Sequence, residues 1–235
     1  MLRFFFFYRE KIDGDLTTLH KSKKLVMIDF DGTIADSFDV VIEVVKEVSS
    51  DYHLPPLNDE RVQEIREKGI KKLFQELDLS FIRKIFLIVK LKKIILAEMN
   101  QVAPFIGVKE EIKALLDLGH ALVIVTSNSK ENVDCFLEDH QMGDLFSVIC
   151  SDVGIFSKKR MITKMIKGGQ FDKVDCLYIG DEVRDIESAR DSGIKSAAVG
   201  WGYQTKEALM SMRPNLFIDE VHDLSREVTK EFEKS

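Results

Sequence analysis

The stretch Leu25-Val26-Met27-Ile28-Asp29-Phe30-Asp31-Gly32-Thr33-Ile34-Ala35-Asp36-Ser37 decides how the rest of the chain is read. Four consecutive apolar residues, Val26 and Ile28 among them β-branched, describe a short strand buried on both faces. The run ends in two carboxylates one residue apart, followed by Gly and Thr. In an extended segment, side chains at i and i+2 share a side, so Asp29 and Asp31 are expected to project together from the strand's carboxyl end. Open α/β sheets bind their ligands at that edge. Two like charges held so close repel, and one pKa rises unless a cation lies between them, so the pair asks for a divalent metal. Gly32 lets the backbone approach a ligand and expose its amide, and Thr33 offers a hydroxyl. An Asp-Gly hairpin turn is the plain alternative, but no second alternating strand follows Gly32.

Beyond Ser37 the period becomes helical. Phe38, Val41, Ile42, Val45 and Val48 recur at three- and four-residue spacing until His53-Leu54-Pro55-Pro56 ends the element. Asn58 through Glu67 follow, then Gly69, then a set formed by Ile70, Leu73, Phe74 and Leu77. A third set comprises Phe81, Ile82, Ile85, Phe86, Val89, Ile94, Ile95 and Met99, with Lys84, Lys90, Lys92 and Lys93 between them. Three or four helices are expected over residues 38–102, with no strand. A basic amphipathic helix can lie on a membrane surface. In an acidic chain the expectation is instead a helix packed through those apolar residues, with a solvated basic face.

From Pro104 strands and helices alternate. Val108, Ile112, Leu115, Leu116 and Leu118 form a helix face closing at Gly119. Ala121–Val125 is a second buried strand, ending in Thr126-Ser127-Asn128-Ser129, and a helix runs from about Lys130 to His140. Phe146–Cys150 reads as a strand, Asp152–Phe156 as a loop, and Met161, Ile162, Met165 and Ile166 as a helix face. Cys176–Ile179 is a third strong strand, ending in Gly180-Asp181; a helix follows and closes at Gly193. Ala197–Val199 and Leu216–Ile218 are short terminal strands. Apolar strands alternating with helices define an α/β protein, a doubly wound parallel sheet. Residues 1–37 and 103–235 make this core, with 1–22 an extension whose role is unreadable. The helical segment 38–102 interrupts the core directly after its first strand, which places it over the strand ends as a lid.

Composition narrows the function classes. Hydrophobic residues make up 45% and charged residues 31% of 235 positions, as in a globular protein with a sizeable core. A net charge of −6 argues against nucleic acid as a main partner. No apolar run approaches the ~20 residues that span a bilayer, so no membrane partner is expected. Phe4-Phe5-Phe6-Phe7 is cut short by Tyr8-Arg9-Glu10-Lys11, too soon for a signal peptide. Cys135, Cys150 and Cys176 lie far apart, which excludes a disulfide framework and suits a reducing cytoplasm.

The strand ends carry polar groups to one edge of the sheet: Asp29 and Asp31, then Thr126, Ser127 and Asn128 at a helix start that favours an anion, then Lys158 and Lys159 from a loop. Asp181 closes the set, with Asp185 a helical turn further on. Carboxylates, a hydroxyl and a lysine suit a hard cation and a phosphate, and Mg²⁺ is the natural ion.

In this order the residues Asp29-Phe30-Asp31-Gly32-Thr33, Thr126, the lysine before a helix and Gly180-Asp181-x-x-x-Asp185 resemble the haloacid dehalogenase-like hydrolases. Residues 38–102 look like the helical cap of their phosphoglycolate phosphatase-like branch. The resemblance covers residues 24–222 and implies a Rossmann-like core with an inserted all-α cap. It also implies a phosphatase acting on a small phosphorylated metabolite, as a monomer or homodimer. Asp29 would be the nucleophile and Asp31 the acid and base; dehalogenating relatives lack an Asp at the second position. Thr126 and Lys158 would bind phosphate oxygens, with Gly32, Thr33, Ser127 and Asn128 contributing to the substrate site. Asp29, the Asp31 carbonyl, Asp181 and Asp185 would hold Mg²⁺.

Several plain alternatives stand beside these roles. Ser157-Lys158-Lys159-Arg160 lacks the Lys-Pro pair of many relatives, and Lys158 is taken over Lys159. Asp185 could instead be an exposed carboxylate paired with Arg184 or Arg190, and Glu182 a first-turn residue answering the helix dipole. Arg66, Lys68, Lys71 and Lys72 around Gly69 could meet an anionic leaving group, or be a solvated surface. Trp201 could line the site rim or simply pack. A phosphomutase of the same fold and a non-catalytic phosphate-binding module are the rival functions.

Overall fold

The computed structural model describes residues 11–52, 54–69, 74, 76–98, 101–154 and 157–234. The Phe4–Phe7 run, Lys71 and Lys72 lie outside the described residues.

Leu25–Ile28 (β2) has no polar side chain, and all four residues are buried, a state that requires partners on both edges and cover on both faces. Ala121–Val125 (β3) and Cys176–Gly180 (β5) flank it, both parallel, with Ile28 opposite Ile124 and Ile179. The full sheet has seven strands in the order β1-β4-β3-β2-β5-β6-β7, where β1 is Lys11–Asp13, β4 Val148–Ser151, β6 Lys195–Val199 and β7 Leu216–Ile218.

Side-chain alternation divides the core between the two faces. Val26, Ile28, Leu122, Ile124, Leu177 and Ile179 point to the side covered by α4 (Val108–Asp117), α5 (Lys130–Asp139) and α9 (Leu224–Glu233). Leu25, Met27, Val123, Val125, Cys176 and Tyr178 point to the other, against α6 (Lys158–Gly168) and α7 (Val183–Ser192). This is the α/β architecture that the alternation of apolar runs and helices implies. The Tyr178 hydroxyl, the one polar tip on that second face of β5, donates to the Val125 carbonyl at 2.8 Å.

Three elements depart from expectation. The extension contains β1, which pairs antiparallel with β4, Lys11 opposite Ser151. Ion pairs from Lys11 to Glu131 (2.8 Å) and from Lys130 to Asp13 (2.6 Å) tie it to α5. Three residues with one half-buried apolar side chain, Ile12, are too few to show a period. Strand β4 starts at Val148 rather than Phe146, because Gly143–Leu145 coils as a 3₁₀ turn that Phe146 closes.

The third departure is in the inserted segment, which contains α1 (Phe38–Ser49), α2 (Asp59–Lys68) and α3 (Phe81–Glu98). The expected packed face of α3 included Ile82, Ile85, Phe86 and Val89, and all four are exposed. Leu87 is the residue buried against the neighbouring helix, with Leu91, Ile94 and Ile95 half-buried. The helix has apolar residues nearly all round, so spacing alone could not choose the face. Among the described residues no helix is long and apolar enough to cross a membrane.

Phe136 of α5 packs edge-on against Phe30 with centroids 4.9 Å apart, both rings buried. Phe136→Ala should lower unfolding stability by about 3–5 kcal/mol, the usual cost of an emptied aromatic site. A urea titration that moves by less than a quarter of that would show that the Phe30 turn has another anchor.

Candidate active site

Sheet register brings the site together. Asp29 lies one residue beyond β2, and its amide still donates to the Ile179 carbonyl at 2.9 Å. The ends of β2 and β5 are therefore level, so Asp29 and Asp181 meet. The chain then turns sharply, with the amides of Ile34 and Ala35 both donating to the Phe30 carbonyl (2.9 and 3.0 Å).

Carboxylate oxygens of Asp29, Asp181 and Asp185 lie within 4.8 Å of one another, and all three residues are buried. Lys158, the first residue of α6, reaches them from across the sheet. Its Nζ is 2.6 Å from Asp29 Oδ2 and also contacts Asp185 Oδ1. Asp185 closes the start of α7 by accepting the Glu182 amide at 3.1 Å. Asp181 accepts the Thr33 hydroxyl at 2.9 Å and the Tyr203 amide at 2.8 Å. The cluster leaves no room for side chains at two glycines. A Cβ on Gly180 would stand 2.4 Å from Asp185 Oδ2, and one on Gly32 (φ +73°) 2.1 Å from Asp181 Oδ2.

Crowding sets the electrostatics. Burial, with the charges of Glu182 and Asp29, pushes the Asp181 carboxyl well above the usual carboxylate range. Burial raises Asp185 to about 7, with Asp29 adding and Lys158 opposing. Burial works against the Lys158 charge, but Asp185 and Asp29 outweigh it and hold the ammonium above its ordinary value. Three buried carboxylates against one ammonium leave surplus negative charge among oxygen donors. A hard divalent cation fits that donor set.

Asp31 is not one of the three carboxylates of this cluster, although it lies near enough for the Asp29 charge to act on it. The Asp31 carboxylate instead accepts from Ser37 Oγ (3.0 Å) and from Asn128 Nδ2 (3.0 and 3.1 Å). Burial, then the nearby charge of Asp29, raises its pKa to about 6. A carboxyl poised there can both give and take a proton near neutrality.

Several other residues of the sequence-derived set are occupied within the protein. The Gly32 amide donates to the Ala35 carbonyl at 2.9 Å, not outward. Thr33 orients Asp181, and Asn128 holds Asp31, its own Oδ1 accepting from Asn132 at 2.7 Å. Thr126 is buried at the end of β3, where its Oγ1 accepts the Asn128 amide at 3.0 Å. Ser127 Oγ lies 3.5 Å from Arg184 Nη1. Lys159 points away, 57% exposed beside Asp191, so of the two lysines only Lys158 enters the cluster.

Sequence reasoning gave Ser37 and Tyr203 no site role and left Glu182, Arg66 and Trp201 with other or open ones. Ser37 bonds Asp31, and Tyr203 Oη lies 2.8 Å from Ser37 Oγ while the Tyr203 amide holds Asp181. Glu182, at the start of α7, is buried and pairs with Arg184 at 2.6 Å. The expected basic turn sends Arg66 Nη1 to the carbonyls of Gly202 and Tyr203 (3.3 and 3.4 Å), its guanidinium over the Phe38 ring. Trp201 donates to the Thr33 carbonyl at 3.1 Å and steadies the turn from behind. Nothing in the sequence around Ser37 or Tyr203 singled out a site role for either.

Residues 26–199 match the haloacid dehalogenase-like hydrolase family, and the chain belongs to it. A phosphoglycolate phosphatase from Synechococcus elongatus is 26% identical over 205 residues, 87% of this chain and 97% of that protein. A pyrophosphatase from Bacillus cereus is 21% identical over 85% of this chain and 93% of its own length. Among solved structures, a predicted phosphatase from Clostridium acetobutylicum superposes with a TM-score of 0.77 at 19% identity, over 89% of this chain and 99% of that one, a likeness of fold.

Removing Lys158 would leave the carboxylates without the one ammonium that contacts them among the described residues. Lys158→Ala should destabilise the metal-free protein by on the order of 3–5 kcal/mol, and added Mg²⁺ should raise the variant's Tm more than it raises that of the wild type. Equal Mg²⁺ shifts in both proteins would mean the ion does not share the lysine's space.

Proposed function

We propose that this hydrolase is a Mg²⁺-dependent phosphatase that cleaves a small, phosphoglycolate-like phosphate monoester through an aspartyl-phosphate on Asp29. Residues 1–37 and 103–235 serve as its core and 38–102 as its cap. The supporting observation is the contact of Lys158 Nζ with Asp29 Oδ2 at 2.6 Å, inside a ring of buried carboxylates, with Asp31 held separately by Ser37 and Asn128. A binding module would gain nothing from an acid kept apart in this way.

An Asp29 carboxylate oxygen attacks phosphorus as the bond from phosphorus to the alkoxide breaks, and Asp31 gives its proton to that alkoxide. Asp31, now a carboxylate, takes a proton from the water that attacks the acyl phosphate. The bond between phosphorus and the Asp29 oxygen breaks, releasing inorganic phosphate and restoring both carboxyl groups. Lys158, Thr126 and Ser127 steady the phosphoryl oxygens. Asp29, Asp181, Asp185 and the Asp31 carbonyl would hold Mg²⁺, which would offset charge on the phosphoryl oxygens during attack. The relatives named above carry different substrates in their names, so identity at this level supports a class rather than one compound. Cys135, Cys150 and Cys176 form no disulfide among the described residues, which suits a reducing cytoplasm.

Asp29→Asn should abolish hydrolysis of p-nitrophenyl phosphate and of a panel of phosphorylated metabolites without loss of the fold. Asp31→Asn should slow turnover by on the order of 10²–10⁴, and chelation should silence the wild type reversibly. Wild-type turnover by Asp29→Asn would remove the nucleophile from this scheme.

A further inference from the structure

Among the described residues, the outer side of α3 is a largely apolar surface that the rest of the fold leaves open. At 100° per residue, Ile82, Ile85, Phe86, Val89 and Leu96 fall within an arc of about 100°. Their exposure is high, 65% at Ile82, 64% at Phe86 and 55% at Val89, whereas Leu87 on the opposite side is 1% exposed. Lys93 lies inside the arc, and Lys90 and Arg83 lie within about 60° of its edge. Residues 81–98 carry five Lys or Arg and one acid, Glu98, in a chain whose net charge is −6. The net negative charge thus lies in the rest of the molecule. Lys90 pairs with Asp51 and Lys84 lies over the Phe74 ring, while Arg83 and Lys93 are exposed.

We propose that this face of α3 docks, in the plane of the interface, on an anionic lipid bilayer. Branched and aromatic side chains in one arc reach the acyl boundary, and basic side chains beside them extend to the headgroups. Charge complementarity favours this occupant, because the basic helix is drawn to anionic headgroups while the acidic remainder is repelled. A second copy of the chain suits the face less well. A helix of 18 residues offers a stripe of about 27 by 10 Å, roughly a third of the ~800 Å² per partner of a standard interface. Pairing two copies would also bring two basic helices together. The sequence-level expectation of no membrane partner rested on the lack of a spanning apolar run, which does not bear on surface docking. The packed reading of this helix rested on overall charge, which averages over these two regions.

The test is co-sedimentation of the full chain with phosphatidylcholine vesicles and with vesicles containing about 30% phosphatidylglycerol, the lipid that supplies the negative surface. Binding is expected only to the anionic vesicles and should weaken several-fold as salt rises. Phe86→Glu should abolish it, and Lys93→Ala should weaken it on the order of fivefold. Both variants should keep wild-type hydrolysis of p-nitrophenyl phosphate, since neither residue belongs to the site. If Phe86→Glu loses activity through misfolding, Lys93→Ala and the wild-type salt series still decide the matter. Equal binding to both vesicle types, binding to neither, or a dimer in sedimentation equilibrium that Phe86→Glu dissolves would each overturn the proposal.

Discussion

The structure depends on confining three carboxylates, Asp29, Asp181 and Asp185, around a single ammonium. Like charges at this separation repel by on the order of 4 kcal/mol per pair at an effective dielectric near 20. The arrangement survives because each acid is also held by a donor that belongs to the fold. Asp29 accepts its neighbour's amide, from Phe30. Asp181 accepts Thr33 Oγ1 and the Tyr203 amide, and Asp185 accepts the Glu182 amide. Each donor requires a local structure: the tight turn after β2, the loop after β6, the first turn of α7. Gly32, Gly180 and Gly202 are needed for the same reason, since a Cβ at any of them would overlap Asp181 or Asp185.

The sheet makes the confinement possible. Parallel pairing of β2 with β5 in level register delivers two of the acids to one point, and Lys158 arrives from the start of α6 beyond β4. Burial of both faces of the central strands excludes water from beneath the cluster. That burial strengthens the lysine contacts and raises the proton affinities of Asp181 and Asp185. The same low-dielectric floor therefore accounts both for how firmly Lys158 is held and for how much positive charge the site still lacks.

Much of this was legible from residue order. Strands with four or five apolar residues in a row read clearly, because burial on both faces tolerates no polar position, and the acids at their ends followed. The limits were equally physical. Strand β1 is too short to show a period. The partners of the Asp31 side chain, Ser37 and Asn128, could not be read, because they come from six residues on and from the end of another strand. In α3, apolar residues on nearly every side left the inward face undetermined until Leu87 was seen to take it. Two side chains read as ligands for substrate bond acids of the site. Thr33 and Asn128 lie beside the site in sequence, but a hydroxyl or amide near a buried carboxylate is drawn to it first.

That last point shifts where selectivity must come from. With Thr33 committed to Asp181, Asn128 to Asp31 and the Gly32 amide to Ala35, the polar loops under the site have few donors left for anything beyond a phosphoryl group. Discrimination among leaving groups then falls to the inserted helices, and their attachment is specific. Arg66 bonds the Gly202 and Tyr203 carbonyls, and the Gln204 side chain joins the Glu67 carbonyl to the Val183 amide. Tyr203 continues the path, its amide on Asp181 and its hydroxyl against Ser37, which bonds Asp31. The contacts that seat α2 on the core thus run through the residue that positions both a member of the acidic cluster and the separate acid, so the placement of the helices and the geometry of the chemistry are parts of one hydrogen-bonded unit.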